Sequence, residues 1–474
     1  MNAATKPAPV LPARRFDADG KPHVDLRAIL RLAAPLMVTN AVQAVLNLTD
    51  LWFIGRLSTD ATAAMSAIYW ILNCAILLFG GVASTVQTYV AQAEGSRRKA
   101  RAARALWSAS WAILGIIPLF LAMAFAGPWL LHPFGLEPHV EALALEYWAP
   151  RMGGAFAGTL VWAAMGFFNG ISLARNTMLI AVVILVTNAI ANQLFMFQLG
   201  MGMKGSAWGT NVAQLAGLAL AVWLILRGEM RQRYRTGLMW RPDSAAIRAQ
   251  LMLGLPIGVM MGADVLGLAL SQLMIAQTST VGAAATQIVM ALTSVAYMPT
   301  IGIALAGTTL VGQSIGAGNR DWANRLGNMD IVLCATQMAC VALLLILVGP
   351  WVIPIFVSNG GPAAADVVAL GLVLLWPAAA YQIFDGLYFG ASFCLRGAGD
   401  TRVPAATALV LSWFLYVPLA HTLIFAPGEG WIDGLPQFGL GALGGWLALM
   451  TYAILLGSSM LWRWRNGAWR RLTL

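Results

Sequence analysis

Apolar stretches of roughly 20 residues recur from one end of this chain to the other. Twenty residues of helix span about 30 Å, the thickness of a bilayer's hydrocarbon core. A chain that repeats such stretches is therefore expected to fold as a polytopic helical membrane protein, all-α throughout. Composition agrees: 59% of the 474 residues are hydrophobic and only 10% are charged, against about 25% charged for a soluble domain. The alternating segments of about 10 residues that build a membrane barrel are absent. The pattern predicts about twelve transmembrane helices, near residues 29–54, 61–92, 105–130, 141–168, 177–199, 205–226, 249–276, 283–313, 327–357, 366–394, 402–425 and 438–462.

The charges fix the expected orientation. With the N-terminus placed in the cytosol, all but Arg56, Arg151 and Lys204 of the 29 Lys and Arg residues fall on the cytosolic side. Such an asymmetry sets topology by the positive-inside rule. The net charge of +10 is then a topology signal, with contact to anionic lipids, and not a nucleic-acid footprint. Residues 1–28 are polar and Pro-rich, lack the apolar core of a signal peptide, and read as a disordered cytosolic tail. The expected organisation is an N-lobe at 29–226, a basic cytosolic linker at 227–248, a C-lobe at 249–462 and a basic cytosolic tail at 463–474. Within the linker, Asp243 to Leu253 reads as a short surface helix capped by Asp243. The expected location is an inner (plasma) membrane, multi-pass, with both termini cytosolic. Trp462, Trp464 and Trp469 on one side and Trp129, Trp351 and Trp431 on the other suit interfacial belts.

An internal repeat underlies the two lobes. A shift of 221 residues lays the first half on the second without gaps for about 60 residues. Pro35 then meets Pro256, Ser58 meets Ser279, Gly81 meets Gly302, Gln92 meets Gln313 and Gly95 meets Gly316. Further on, after a small slip, Thr177 meets Thr401. Six helices per half, both halves starting inside, make a parallel repeat about an axis along the membrane normal, an arrangement that builds secondary transporters.

Asp50, Asp264 and Asp385 each interrupt a long apolar run. A carboxylate inside a bilayer is costly and is a functional candidate by default. None follows the repeat: Asp50 aligns with Ser271 and Asp264 with Gln43. A purely structural acid would more readily have been duplicated with its scaffold. Arg151 in the fourth helix reads as a structural residue pairing with one of these acids or with Glu146. His421, near the end of the eleventh helix, reads as interfacial. Cys74, Cys334, Cys340 and Cys394 have no CxxC spacing and read as small core residues. No metal-protease motif, nucleotide-binding loop or convergent catalytic set is present, so neither an enzyme nor ATP coupling is expected.

The segments LAAPLMVTN and LTDLWFIGRLS in helix 1, LGLPIGVMMGADVLGLAL in helix 7, YQIFDGLYFGASFCLRGAGDT in helix 10 and NAIANQLFMFQLGMGMKGSAWGT in helices 5 and 6 resemble the multidrug and toxic compound extrusion (MATE) family, closest to its NorM-like branch. The resemblance covers about residues 29–460. It implies export of organic, mainly cationic compounds in exchange for Na⁺ or H⁺, by alternating access of a V-shaped cavity between two six-helix lobes. It implies no cofactor beyond the coupling ion, organic cations and membrane lipids as partners, and a monomer. Carried over by position, Asp264, Asp385 and Tyr381 form a cation site in the C-lobe. Asp50, with Asn188 and Asn192, forms a proton or substrate site in the N-lobe. Asp264 departs from the glutamate usual in NorM-like members, and Asn192 from the aspartate of the DinF-like branch. A lipid-linked oligosaccharide flippase of the same superfamily is the alternative. It would want a strongly cationic cavity, for which Arg151 is the one intramembrane candidate.

Overall fold

A computed structural model describes residues 11–132, 136–357, 364–432 and 434–472. The chain folds into helices α1 (Leu26–Gly55), α2 (Thr59–Gly95), α3 (Lys99–Phe125), α4 (Gly127–Leu131), α5 (Pro138–Gly170), α6 (Ala174–Asn192), α7 (Gly202–Leu226) and α8 (Gly228–Tyr234). The second half supplies α9 (Ser244–Thr278), α10 (Thr280–Gly316), α11 (Arg320–Phe356), α12 (Ala364–Ala398), α13 (Arg402–Leu411), α14 (Val417–Ile424) and α15 (Gly441–Arg465). Eleven helical segments among the described residues are long and apolar enough to cross a membrane. The α5 helix, 33 residues long, is the twelfth long element. Glu141, Glu146, Arg151 and a run of small residues make it less apolar than the others. The protein is thus an all-α polytopic membrane protein.

The repeat is visible in the joints. Ser58 caps α2 by accepting from the Ala61 amide, and Ser279 caps α10 by accepting from the Gly282 amide. Each satisfies an otherwise orphaned helical donor. The turn after α2 places Arg97 at φ 58°, and the turn after α10 places Gly318 at φ 81°. Glycine adopts that left-handed conformation freely, whereas arginine does so at a cost.

Three sequence expectations change. Residues 11–25, assigned to a disordered tail, contain a hairpin pairing β1 (Arg14–Phe16) with β2 (Pro22–Val24). The earlier residues of that tail, including Lys6, lie outside the described residues. Trp322 Nε1 donates to the Pro12 carbonyl at 2.9 Å, and Arg325 donates to that of Pro22 at 3.3 Å. Leu11 joins Ile29, Leu32 and Trp322 in one apolar cluster. Second, Asp243 does cap a helix, accepting from Ala245 and Ala246 amides. That helix is not a separate surface piece but runs unbroken into α9. Third, the basic linker is anchored to α3: Trp107 and Trp111 donate to the carbonyls of Thr236 and Trp240 at 2.8 and 2.7 Å.

The lobes meet most tightly at the end carrying the basic loops. There α2 is buried without interruption from Phe79 to Thr88, and its repeat partner α10 from Ala306 to Ser314. Toward the opposite end both helices alternate between buried and exposed positions. A pseudo-symmetric set of hydrogen bonds closes the basic end. Thr88 Oγ1 donates to the Arg396 carbonyl and Gln92 Nε2 to that of Gly397, both at 3.0 Å. Their repeat mates Thr309 and Gln313 donate to the carbonyls of Asn169 and Gly170 at 3.1 and 2.9 Å. Gly95 and Gly316 let the helix ends cross. A Cβ on Gly95 would strike the Gln313 carbonyl, and one on Gly316 that of Gln92. Gln87 adds a bond to Leu305 and one to Thr309. Nearer the open end, the one lobe-to-lobe hydrogen bond among the described residues is the weak thiol bond from Cys74 to the Gly262 carbonyl at 3.7 Å. Among the described residues the lobes are therefore splayed at one end and latched at the other.

Candidate functional site

In the N-lobe, Asp50 sits in the second half of α1 and is 8% exposed. Asn192, at the last position of α6, donates Nδ2 to Asp50 Oδ1 at 2.6 Å, and Thr210 of α7 donates to Oδ2 at 3.4 Å. Asn188, one turn before Asn192, is tied to both: it accepts from Asn192 Nδ2 at 3.2 Å and donates to Thr210 at 3.3 Å. The three residues that the family resemblance groups thus form one network, and Thr210 is its unforeseen member. Immediately after Asn192 the helix widens into π-helical turns at Gln193–Gln198, a deformation often found at functional sites. Arg151 does not pair with Glu146, which instead faces Lys204 at 3.9 Å. Arg151 lies near Tyr147 and Asp50, beyond ion-pair distance, with Nη1 buried and unpartnered.

Replacing Asn192 by leucine is expected to strand the Asp50 carboxylate. A buried acceptor that loses its partner costs about 1–3 kcal/mol. Thermal unfolding of the purified variant reads this as a fall in Tm, and Asp50→Asn in the same background should restore it. No fall in Tm for Asn192→Leu would show that the network does not hold Asp50.

The C-lobe site is built differently. Asp264 in the middle of α9 accepts from the Tyr452 hydroxyl of α15 at 2.6 Å and from that of Tyr388 of α12 at 3.5 Å. Asp385 lies on α12 one turn from Tyr381, which is 3% exposed. The Tyr381 and Tyr297 hydroxyls are 2.7 Å apart, and Tyr297 also faces Asp385. The two carboxylates are close enough to repel one another. Among the described residues neither has a Lys, Arg or His within ion-pair distance. Gln382, next to Tyr381, leaves its buried Oε1 without a donor. Paired acids among hydroxyls, with no Lys, Arg or His at ion-pair distance, have the chemistry to take up a small cation or a proton. The shorter reach of an aspartate at 264 is met by tyrosines from two helices.

Asp264, Asp385 and Tyr381 thus lie in one cluster, while Asp50, Asn188 and Asn192 lie in another. Sequence reasoning missed Tyr297, Tyr388 and Tyr452. A signal was present: of 9 tyrosines, 297, 381, 388, 416 and 452 all fall inside second-half spans. The sites occupy related places. Ser271, the repeat mate of Asp50, lies against Tyr416, at the end of a second π-helical stretch, Ser412–Tyr416. The expectation of three intramembrane carboxylates is also corrected. A fourth, Asp330 of α11, is 1% exposed, hidden in the sequence by the polar residues that open its helix. His421, near the end of α14, is 2% exposed and accepts from the Ile432 amide at 3.2 Å. Phe167 and Phe168 are core residues at 0% exposure.

The model of the MatE family matches residues 35–194 and again 256–422, more than half of the chain. The chain belongs to the MatE family. The two matches begin at Pro35 and Pro256, the repeat-related prolines, so the family model recognises each lobe in turn. Among curated relatives, a "Probable multidrug resistance protein NorM" of Mesorhizobium japonicum is 30% identical over 461 residues, covering 93% of each chain. A "Multidrug resistance protein NorM" of Burkholderia vietnamiensis is 29% identical, covering 91% of this chain and 92% of its own. Among solved structures, a MOP superfamily transporter from Pyrococcus furiosus, described by the "reverse polarity of binding pocket", superposes with a TM-score of 0.82 at 19% identity, covering 94% of this chain and 96% of its own. A MATE family transporter in an "outward-facing conformation" superposes with a TM-score of 0.80 at 19% identity, with the same coverage. At such identity these two share the MatE fold, and that alone.

Proposed function

We propose that this MatE-family protein is a multidrug efflux transporter of the inner membrane that exports organic, mainly cationic compounds in exchange for H⁺ or Na⁺. The observation that carries the reading is the Asp264–Asp385 pair, half-buried in one lobe among tyrosine hydroxyls, with no Lys, Arg or His at ion-pair distance among the described residues. Curated relatives that match over most of their length are named as multidrug resistance proteins. The positive-inside rule places the basic end in the cytosol. On that assignment the latched end faces the cytosol and the splayed end faces outward. In that orientation the acids take H⁺ or Na⁺ and release the substrate. When the lobes rock and the inner end parts, they release the ion and bind the next organic cation. No cofactor takes part beyond the coupling ion, whose movement across the membrane potential supplies about 2.3 kcal/mol per charge per 100 mV. The N-lobe acid Asp50, fixed by Asn188, Asn192 and Thr210, serves as a second proton or substrate position.

The test is efflux of a fluorescent organic cation from proteoliposomes under separately imposed pH and Na⁺ gradients. Efflux driven by one of the two identifies the coupling ion. Equal, slow leakage under both sinks the antiport reading. A flippase reading draws little support: the single intramembrane arginine, Arg151, lies beside an acid and forms no cationic basin.

A further inference from the structure

The fourth buried carboxylate, Asp330, belongs to neither site above. It lies on α11, in the part of the C-lobe nearest the latch, and is 1% exposed. Its place is shaped for it. Gly307 of α10 stands opposite, and a side chain there would overlap the Asp330 carboxyl. The Cys394 thiol of α12 donates to Asp330 Oδ2 at 3.6 Å. Oδ1 is buried without any donor. The titratable groups that face it are Cys394 and, from its own helix, Cys334; α10 presents Gly307 and backbone. No Lys, Arg or His lies within ion-pair distance of it among the described residues. An ionised carboxylate removed from water, with one weak thiol donor, is several kcal/mol too costly to persist.

Its neighbours connect it to the latch. The α12 backbone that carries Cys394 continues within one turn to Gly397, whose carbonyl accepts from Gln92 across the lobe interface. Thr308, next to Gly307, donates to the Phe393 carbonyl at 2.9 Å. Along α12, Cys394 lies nine residues beyond Asp385, about 13 Å nearer the basic end. Asp330 thus stands behind the latch, well removed from the Asp264–Asp385 pair. The repeat mate of Asp330 is Ala109, so the acid, like the cation site, belongs to the C-lobe alone.

We propose that Asp330 is a further proton-binding site of the C-lobe, protonated while the latch is closed and exposed to cytosolic water when the latch parts. The step is a simple ionisation: the Oδ–H bond breaks, the proton passes to water on the basic side, and the carboxylate is hydrated until the lobes close again. The proposal rests on the alternating-access reading above.

Two measurements on the full-length protein test it. The first is infrared spectroscopy of the carboxylic C=O stretch at neutral pH, comparing wild type with Asp330→Asn. A protonated carboxyl band should vanish in the variant. In Cys394→Ala, which keeps the acid but removes its donor, the same band should move to higher frequency. Identical carboxylic bands in wild type and Asp330→Asn would overturn the proposal, and so would a band unmoved in Cys394→Ala. The second measurement is cation efflux as a function of pH on the basic side alone. Asp330→Asn should lose one proton's worth of pH dependence, about a tenfold smaller change in rate per pH unit. An unchanged slope would assign Asp330 to packing only. A wild type without gradient-driven efflux would sink the transport reading, whereas the infrared result stands apart from transport.

Discussion

Asp385→Asn is expected to abolish ion-driven efflux while the protein still folds. Asparagine keeps the shape of the side chain and one acceptor oxygen but neither binds a proton nor carries charge. Loss of one charge-assisted contact to a cation, worth about 3 kcal/mol, is roughly a hundredfold in affinity. The coupling ion would then no longer compete with the substrate at physiological gradients. Stability moves the other way. The wild-type pair places two acidic groups near one another in a half-buried site without a neutralising cation, so removing one carboxylate relieves a cost. Thermal unfolding should show a Tm equal to or above that of wild type, and proteoliposome efflux should fall at least about a hundredfold. Tyr381→Phe, which leaves both acids in place, serves as the comparison. Efflux by Asp385→Asn at the wild-type rate would remove Asp385 from the mechanism.

Gly95→Ala and Gly316→Ala form the second large prediction. In each, the new methyl meets a backbone carbonyl of the opposing helix, Gln313 or Gln92 respectively. Backbone cannot swing aside as a flexible side chain can, so the ends of α2 and α10 must separate. Overpacking of this kind costs about 1–3 kcal/mol. The cost is borne only by the latched state, so it shifts the population toward the unlatched one by roughly 5- to 150-fold. Cysteine pairs placed across the basic end should cross-link less efficiently in both variants. The two effects should match, because the contacts are related by the repeat. Gly115→Ala is the control, since a Cβ there meets nothing within 4 Å. Cross-linking at the wild-type level in Gly95→Ala and Gly316→Ala would show that this crossing does not govern closure.

Apolar runs, the 221-residue shift and the basic loops were enough to read the spans, because each depends on local composition. The cap at Asp243 was legible for the same reason, being set by residues within one turn. The grouping of Asp50 with Asn188 and Asn192 came from family resemblance, since nothing in the spacing says that α1 and α6 touch. What escaped depends on long-range packing. Tyr452 reaches Asp264 from 188 positions away, and a tyrosine in a membrane helix has no local mark to separate it from ordinary packing. The π-helical turns after Asn192 and before Val417 leave no periodicity to detect. Asp330 escapes because polarity near a helix start normally signals solvent, whereas the groups that bury it come from α10 and α12. The hairpin at 14–24 is short and polar, and it is held by Trp322 and Arg325 of a helix some 300 residues away.

That hairpin and the basic linker share a geometry with a mechanical meaning. The strand pair that leads into α1 is fastened to α11, the third helix of the other lobe. The linker that leads into α9 is fastened to α3, again the third helix of the other lobe. Each half of the molecule is thus leashed to its twin by the chain that feeds it, and the two leashes cross. They differ in strength. The linker adds an ion pair between Arg104 and Asp243 at 3.6 Å, and a hydroxyl bond from Tyr234 to Glu94 at 3.0 Å, to its two tryptophan anchors. The hairpin hangs mainly on Trp322 and Arg325. On the alternating-access reading, the hairpin, held by fewer bonds, is expected to yield before the linker as the inner ends part, which would leave the linker as the pivot.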